Sequence, residues 1–337
     1  MDRRAFLSVS TLAALAPLDL ARLVAPTTPY ELPSTITPAH VDQIIAVASN
    51  LNVWDNRFGG GGLIGEMGSR ALECAVGLLS VSCSATLRDE LLAAVARLGM
   101  VVGATHFDTY AHDDARVAFK VAADCAEEAG NWHLRAKTYS FLARQAVWIG
   151  DPDDGLTQAE KGLVRSDRIT ATEQAMLHTA RARAFAKMRN VQAALSAVGA
   201  ADDAFAHSRP EEDPPWMAYY DAAQHAGDTA HALFDLALVG QDPAEAGKRF
   251  QSAVHGHGDA FARSRAISCT KLASLIMVKG DPSEAAAIGH RALDESGRLT
   301  SRRAADDLRE LARYAGKHPT IGEAAALRER IAAALPA

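Results

Sequence analysis

Gly150-Asp151-Pro152-Asp153-Asp154, Gln241-Asp242-Pro243-Ala244-Glu245 and Gly280-Asp281-Pro282-Ser283-Glu284 punctuate this chain, each between two alanine-rich runs of helical spacing. The mark has a local physical meaning. A glycine just past the last turn takes the left-handed conformation that closes a helix. The aspartate caps the next helix, and proline fits its first position, where the missing N–H costs nothing. An acidic residue in the first turn suits the positive end of the helix dipole. Arg189-Asn190-Val191-Gln192-Ala193-Ala194-Leu195 is a related corner, and Ala111-His112-Asp113-Asp114-Ala115 a weaker one. Registered on Ala111, Asp151, Asn190, Asp242 and Asp281, the corners recur after 40, 39, 52 and 39 residues. A near-constant period with one insertion predicts stacked helical hairpins, none of which buries its apolar side alone.

Small and large positions recur around the corners. Ala143, Ala182 and Ala273 precede them; Ala194, Ala246 and Ala285, then Ala201, Ala253 and Ala292, follow. Small residues at these offsets let two helices approach closely. Hydrophobic residues make up 48% of the chain but aromatics only 6%, so the core must be close-packed small side chains. The pattern resembles the tetratricopeptide repeat, best at 137–165 and 267–295, with a longer period than usual. The expected fold is all-α, a tetratricopeptide-like α-solenoid of about five helical hairpins with extra terminal helices. Residues 1–35 form an N-terminal segment, 36–95 a helical cap, and 96–337 the array. Ser301 to Leu311 and Ile321 to Leu335 read as capping helices. The 52-residue interval holds a proline-rich acidic loop, Ser208 to Pro215, and Trp216-Met217-Ala218-Tyr219-Tyr220-Asp221 is expected to begin a helix after it.

Asp55-Asn56-Arg57-Phe58-Gly59-Gly60-Gly61, Ala129-Gly130-Asn131, Arg144-Gln145-Ala146, Pro214-Pro215-Trp216, Ser301-Arg302 and His318-Pro319 follow in an order similar to the tetratricopeptide region of actinobacterial XRE-class (helix-turn-helix) transcriptional regulators. The resemblance covers roughly 36–335. In that family a DNA-binding domain usually precedes the repeats; the residues before 36 are too few for one, and resemble the connector that follows it. The resemblance therefore implies regulation or signalling by partner binding, with no direct DNA binding by this chain alone. The alternative is a DNA-acting regulator whose helix-turn-helix is missing here or lies on a separate protein.

Arg3-Arg4-Ala5-Phe6-Leu7 and the apolar Ser8 to Leu18 admit a second reading, a twin-arginine export signal for a scaffold that works outside the cytoplasm. Asp19 and Arg22 cut the apolar stretch short and Pro17 follows Ala14-Leu15-Ala16, so a cytoplasmic location is expected. No apolar run looks long enough to span a membrane. The net charge of −6 lacks the basic excess of a general nucleic-acid binder. Cys74, Cys83, Cys125 and Cys269 have no metal-ligand spacing and are expected to be buried thiols.

Catalytic signatures are missing from the sequence. Gly59 to Gly62 is followed by no Gly-Lys-Ser/Thr, so it is a turn between helices rather than a phosphate loop. No nucleophile elbow occurs. His255-Gly256-His257-Gly258-Asp259 lies in a glycine-broken turn that fixes no metal geometry, and Asp221 with His225 reads as a helix-surface pair. A non-enzymatic regulatory or adaptor protein, with no cofactor and no metal, is expected. Its candidate site is the concave groove lined by the first helix of each hairpin. Register from the corners puts Lys137, Ser140 and Arg144 there, then Thr179, Arg183 and Lys187. Fixed cations recognise carboxylate or phosphate, so the expected partner is a peptide or protein, or a small acidic signal. Trp216, Tyr219 and Tyr220 are a candidate aromatic anchor, or a plug where the repeat is interrupted.

Overall fold

The computed structural model describes residues 30–296 and 301–335; the twin-arginine stretch and its alternative reading lie outside the described residues. Fourteen α-helices and no strand occur among them, all within the unit Thr35–Ala337. Helices α1 (Pro38–Phe58) and α2 (Leu63–Leu78) come first. Five hairpins follow: α3 (Ala85–Asp108) with α4 (His112–Glu128), α5 (Trp132–Ile149) with α6 (Pro152–Leu163), α7 (Ala171–Lys187) with α8 (Val191–Phe205), α9 (Ala222–Leu238) with α10 (Ala244–Gly256), and α11 (Ala262–Lys279) with α12 (Pro282–Ser296). Helices α13 (Arg302–Ala315) and α14 (Gly322–Ala334) end the stack.

Each expected corner falls between two helices, but the corners use different chemistry. Gly150 is left-handed at φ 93°, Asp151 accepts from the Asp154 amide at 3.1 Å, and Pro152 opens α6. Gly280 sits at φ −130°, outside the left-handed region, so that helix ends without the expected glycine cap. At the fourth corner Gly240, at φ 109°, makes the turn, and Pro243 stands one position before the helix rather than in it. Arg189 and Tyr110 take positive φ at the corners that lack a glycine.

The small residues do what their spacing requires. Ala143, Ala182, Ala194, Ala201, Ala246, Ala253, Ala273, Ala285 and Ala292 are all fully buried. Approach is close at Gly103 of α3, where a methyl group would stand 2.5 Å from the Phe119 ring of α4. The first hairpin begins at Ala85, capped by Ser84, so the boundary expected at 95/96 falls inside α3. This helix is long and apolar enough to cross a membrane, against the sequence reading, but it packs as core, with Leu91, Leu92, Val95 and Leu98 inaccessible.

The first helices of the hairpins, α3, α5, α7, α9 and α11, pack successively against one another, and α13 continues the row; the second helices form an outer layer. Helix α1 lies on α3 and also touches α11 and the turn Asp259–Phe261, so the inner row closes into a ring. The inner face expected as a groove is thus the inside of a closed row of helices. The crossing between α8 and α9 folds inward. Trp216 lies in the short turn Pro215–Met217, and α9 begins only at Ala222, where Asp221 accepts from the Gln224 amide at 2.9 Å. Residues 216–220 therefore do not open a helix. Met217 and Tyr220 fill the gap against Ile169, Met176 and Leu177.

Candidate functional site: a cationic central cavity

The inner helices line a cavity of about 710 Å³. Its wall is built from single stripes of the inner helices at three- and four-residue spacing, the geometry of one helix face. Helix α3 contributes Arg97, Val101 and Ala104; α5 contributes Lys137, Ser140, Phe141, Arg144 and Trp148; α9 contributes Gln224, Asp228 and His231. Arg183 of α7, Arg263 of α11 and Arg303 of α13 complete the circuit, and Asn52 and Asn56 of α1 lie across one side.

Buried ion pairs fasten the ring. Asp108, at the end of α3, is inaccessible to solvent and accepts from Arg303 at 2.8 Å and from Ser301 at 2.9 Å. Arg263 lies 3.5 Å from Asp108 and donates to Asp55 of α1 at 2.8 Å. Burial pushes the Asp108 carboxyl up, but Arg263 and Arg303 outweigh it and hold it below the usual carboxylate range. The four-glycine loop serves this junction, since the Gly60 amide donates to Asp108 at 3.4 Å. Tyr110 also donates to Asp306, and accepts from the Trp148 indole at 3.2 Å.

Charge on the wall is unbalanced. Seven basic residues line it, Arg57, Arg97, Lys137, Arg144, Arg183, Arg263 and Arg303, against Asp55, Asp228 and Asp259. The chain as a whole carries −6, so this excess is local. Arg144 pairs with Asp228, and Arg263 and Arg303 are satisfied at the junction. Arg183 makes no ion pair or hydrogen bond among the described residues, and its Nε is buried without an acceptor. Lys137 is 4% exposed; its Nζ has only the Met176 sulfur, at 3.9 Å, with the Tyr219 ring centroid 3.3 Å away and that of Phe141 5.0 Å away. Burial, then the Arg144 guanidinium, holds the Lys137 amine well below its ordinary value, against smaller opposing fields from Asp228 and Glu173. Burial and Arg144 also lower Arg183. An arginine nonetheless stays charged, so its cost is unrelieved. His231 is kept neutral by burial and then by Arg183, Lys271, Arg144 and Lys187.

Of the residues expected in the groove, Lys137, Ser140, Arg144 and Arg183 meet on this wall and Thr179 and Lys187 do not. Thr179 lies one turn before Arg183, is buried under Tyr220, and donates to the Met176 carbonyl at 2.7 Å. Lys187 lies one turn beyond and pairs with Asp235 at 2.8 Å. The aromatic triplet divides: Trp216 and Tyr219 face the cavity, while Tyr220 is a plug, 3.3 Å from the His225 ring nitrogen. His225 pairs with Asp202 at 2.8 Å rather than with Asp221. His257 reaches the cavity wall without His255, and among the described residues no group of three or more His, Cys, Asp or Glu could hold a metal ion. Cys125 and Cys269 are buried, whereas Cys74 and Cys83 are partly exposed.

Sequence reasoning missed Arg97, Asp108, Asp228, Arg263 and Arg303. Their signal is a charge inside an otherwise apolar inner helix or at its end, as with Asp228 in Ala226-Gly227-Asp228-Thr229-Ala230. No protein-family model matches this chain, and no curated protein matches it.

Proposed function

We propose that this protein is a non-enzymatic regulatory or adaptor module, a tetratricopeptide-like α-solenoid that binds an anionic group in its central cavity. One observation carries the reading: Arg183 stands on the cavity wall with no carboxylate bonded to it among the described residues, and its Nε is buried without an acceptor. Buried charges in proteins are normally paired, so a chain that keeps an arginine without a direct partner has a reason outside its own fold. An anion entering the cavity supplies the missing partner, and charge-assisted hydrogen bonds in a dry site are the strong ones. The cavity volume is within the range of small-molecule sites. The order of motifs resembling transcriptional regulators supports a signalling role, in which the occupant sets how firmly the ring is closed.

The test is thermal denaturation of the full chain with acetate, benzoate, glutarate, phosphate and a short peptide with a free C-terminal carboxylate, each at millimolar concentration. At least one should raise the melting temperature of the wild type and leave Arg183→Gln unmoved. Equal response of the two proteins to every anion, or none from either, would remove the proposal.

A further inference from the structure

We propose that the occupant is a small aromatic carboxylic acid, its ring held among Tyr219, Phe141 and Trp216 and its carboxylate on Arg183. This rests on the anion-binding reading and narrows it in charge, shape and size.

The charge follows from the neighbouring side chains. Arg144 is neutralised by Asp228, which leaves Arg183 as the unmatched permanent cation of that cluster. Lys137 lies in the field of Arg144, with Glu173 and Asp228 as its acidic neighbours and Tyr219 and Phe141 as its packing, and burial drives its amine towards neutrality. Asp228, Asp235 and Asp307 act on Arg183 only through their fields, and none of them hydrogen-bonds to it among the described residues. A carboxylate on Arg183 supplies the direct partner that the protein does not. The planar two-oxygen carboxylate also matches the guanidinium fork.

Shape follows from the aromatics. The chain has only 20 aromatic residues, and six of them stand on a wall of 34 residues. That is far above the share that 34 of 337 residues would carry by composition alone. Three are held by cations or other rings rather than left free: Arg97 lies 5.6 Å from the Trp216 centroid, Lys137 lies over Tyr219, and Phe141 stacks on Phe119 with centroids 5.4 Å apart. Rings fixed in this way present faces and edges to a guest, and offset or edge-on aromatic contacts add to simple burial. Size follows from the volume: about 710 Å³ lies within the range of small-molecule sites.

Isothermal titration calorimetry on the full chain separates these points with four probes. Indole-3-acetate carries ring and charge, cyclohexylacetate the charge without the π-face, indole-3-acetamide the ring without the charge, and inorganic phosphate a higher charge. Indole-3-acetate should bind one per chain, at least about tenfold tighter than each of the others. Arg183→Gln should weaken both carboxylates, and Tyr219→Leu should weaken indole-3-acetate alone. Equal or tighter binding of cyclohexylacetate or phosphate, abolished by Arg183→Gln, overturns the aromatic carboxylate and leaves the anion site standing. Absence of binding by every anion overturns both. Circular dichroism of each variant shows whether it is folded; if Tyr219→Leu is not, Trp216→Leu gives the same reading.

Discussion

Replacing Lys137 by methionine should make the protein more stable, although it removes a side chain from its interior. Methionine keeps the length and most of the volume of the lysine stem, so packing against Met176, Phe141 and Tyr219 is retained. What disappears is an amine that is 4% exposed and has no carboxylate partner among the described residues. Holding that amine out of water, charged or stripped of its proton, costs several kcal/mol, and its contact with the ring returns about 2 kcal/mol at best, so the net gain is about 1–3 kcal/mol. A unit of this length has a melting entropy of roughly 0.6 kcal/mol/K, so each kcal/mol moves Tm by about 1.6 °C and Lys137→Met should raise it by about 2–5 °C at pH 7. The pH dependence has a definite sign. A lysine whose folded pKa is depressed binds fewer protons folded than unfolded, so wild-type stability climbs as pH rises from the folded value towards the ordinary lysine value. The variant should lose that climb. Thermal denaturation by circular dichroism between pH 7 and pH 10, without added anions, measures both effects. A lower Tm at pH 7 together with an unchanged pH slope would refute the reasoning.

Asp108→Asn leaves Arg303 without its carboxylate in a buried site, and should cost about 3 kcal/mol, a fall in Tm of about 5 °C by the same scaling. Acid should erode the wild type at the same point: the Asp108 carboxyl is held below its ordinary value, so its contribution is complete above about pH 4 and is lost as pH falls through the folded value. A pH–stability profile should be flatter for Asp108→Asn on that side. Gly103→Ala drives a methyl into the Phe119 ring and should destabilise by about 1–3 kcal/mol, read from the denaturant midpoint. Arg183→Gln relieves an unmatched cation, so the empty protein should melt no lower than the wild type while losing its response to carboxylates. Charge reversal at Arg144 is a poorer probe, since glutamate there would face Asp228 and unsettle the fold.

The hairpins were legible because capping and close packing are local. Asp151 and Pro152 announce a helix start whatever lies beyond, and alanine at 143, 182 and 273 marks the same offset in three repeats. The inner stripe was also legible for α5, where Lys137, Ser140 and Arg144 share one face. It failed on α7 because neighbours decide which turns of a helix reach the cavity: Tyr220 covers Thr179 and Asp235 draws Lys187 away. Closure of the ring was illegible for a similar reason. Asp55, Asp108, Arg263 and Arg303 meet across about 200 positions, and nothing near any one of them in the chain names the others.

That junction changes what kind of object the stack is. A linear array frays from its ends and tolerates loss of a terminal unit, because each unit leans only on the next. Here removal of α13 and α14 would strip Asp108 of Arg303 and Ser301 at the far side of the molecule. Ends that clasp one another should melt together, so weakening the clasp should loosen the whole circuit at once rather than peel away its last unit.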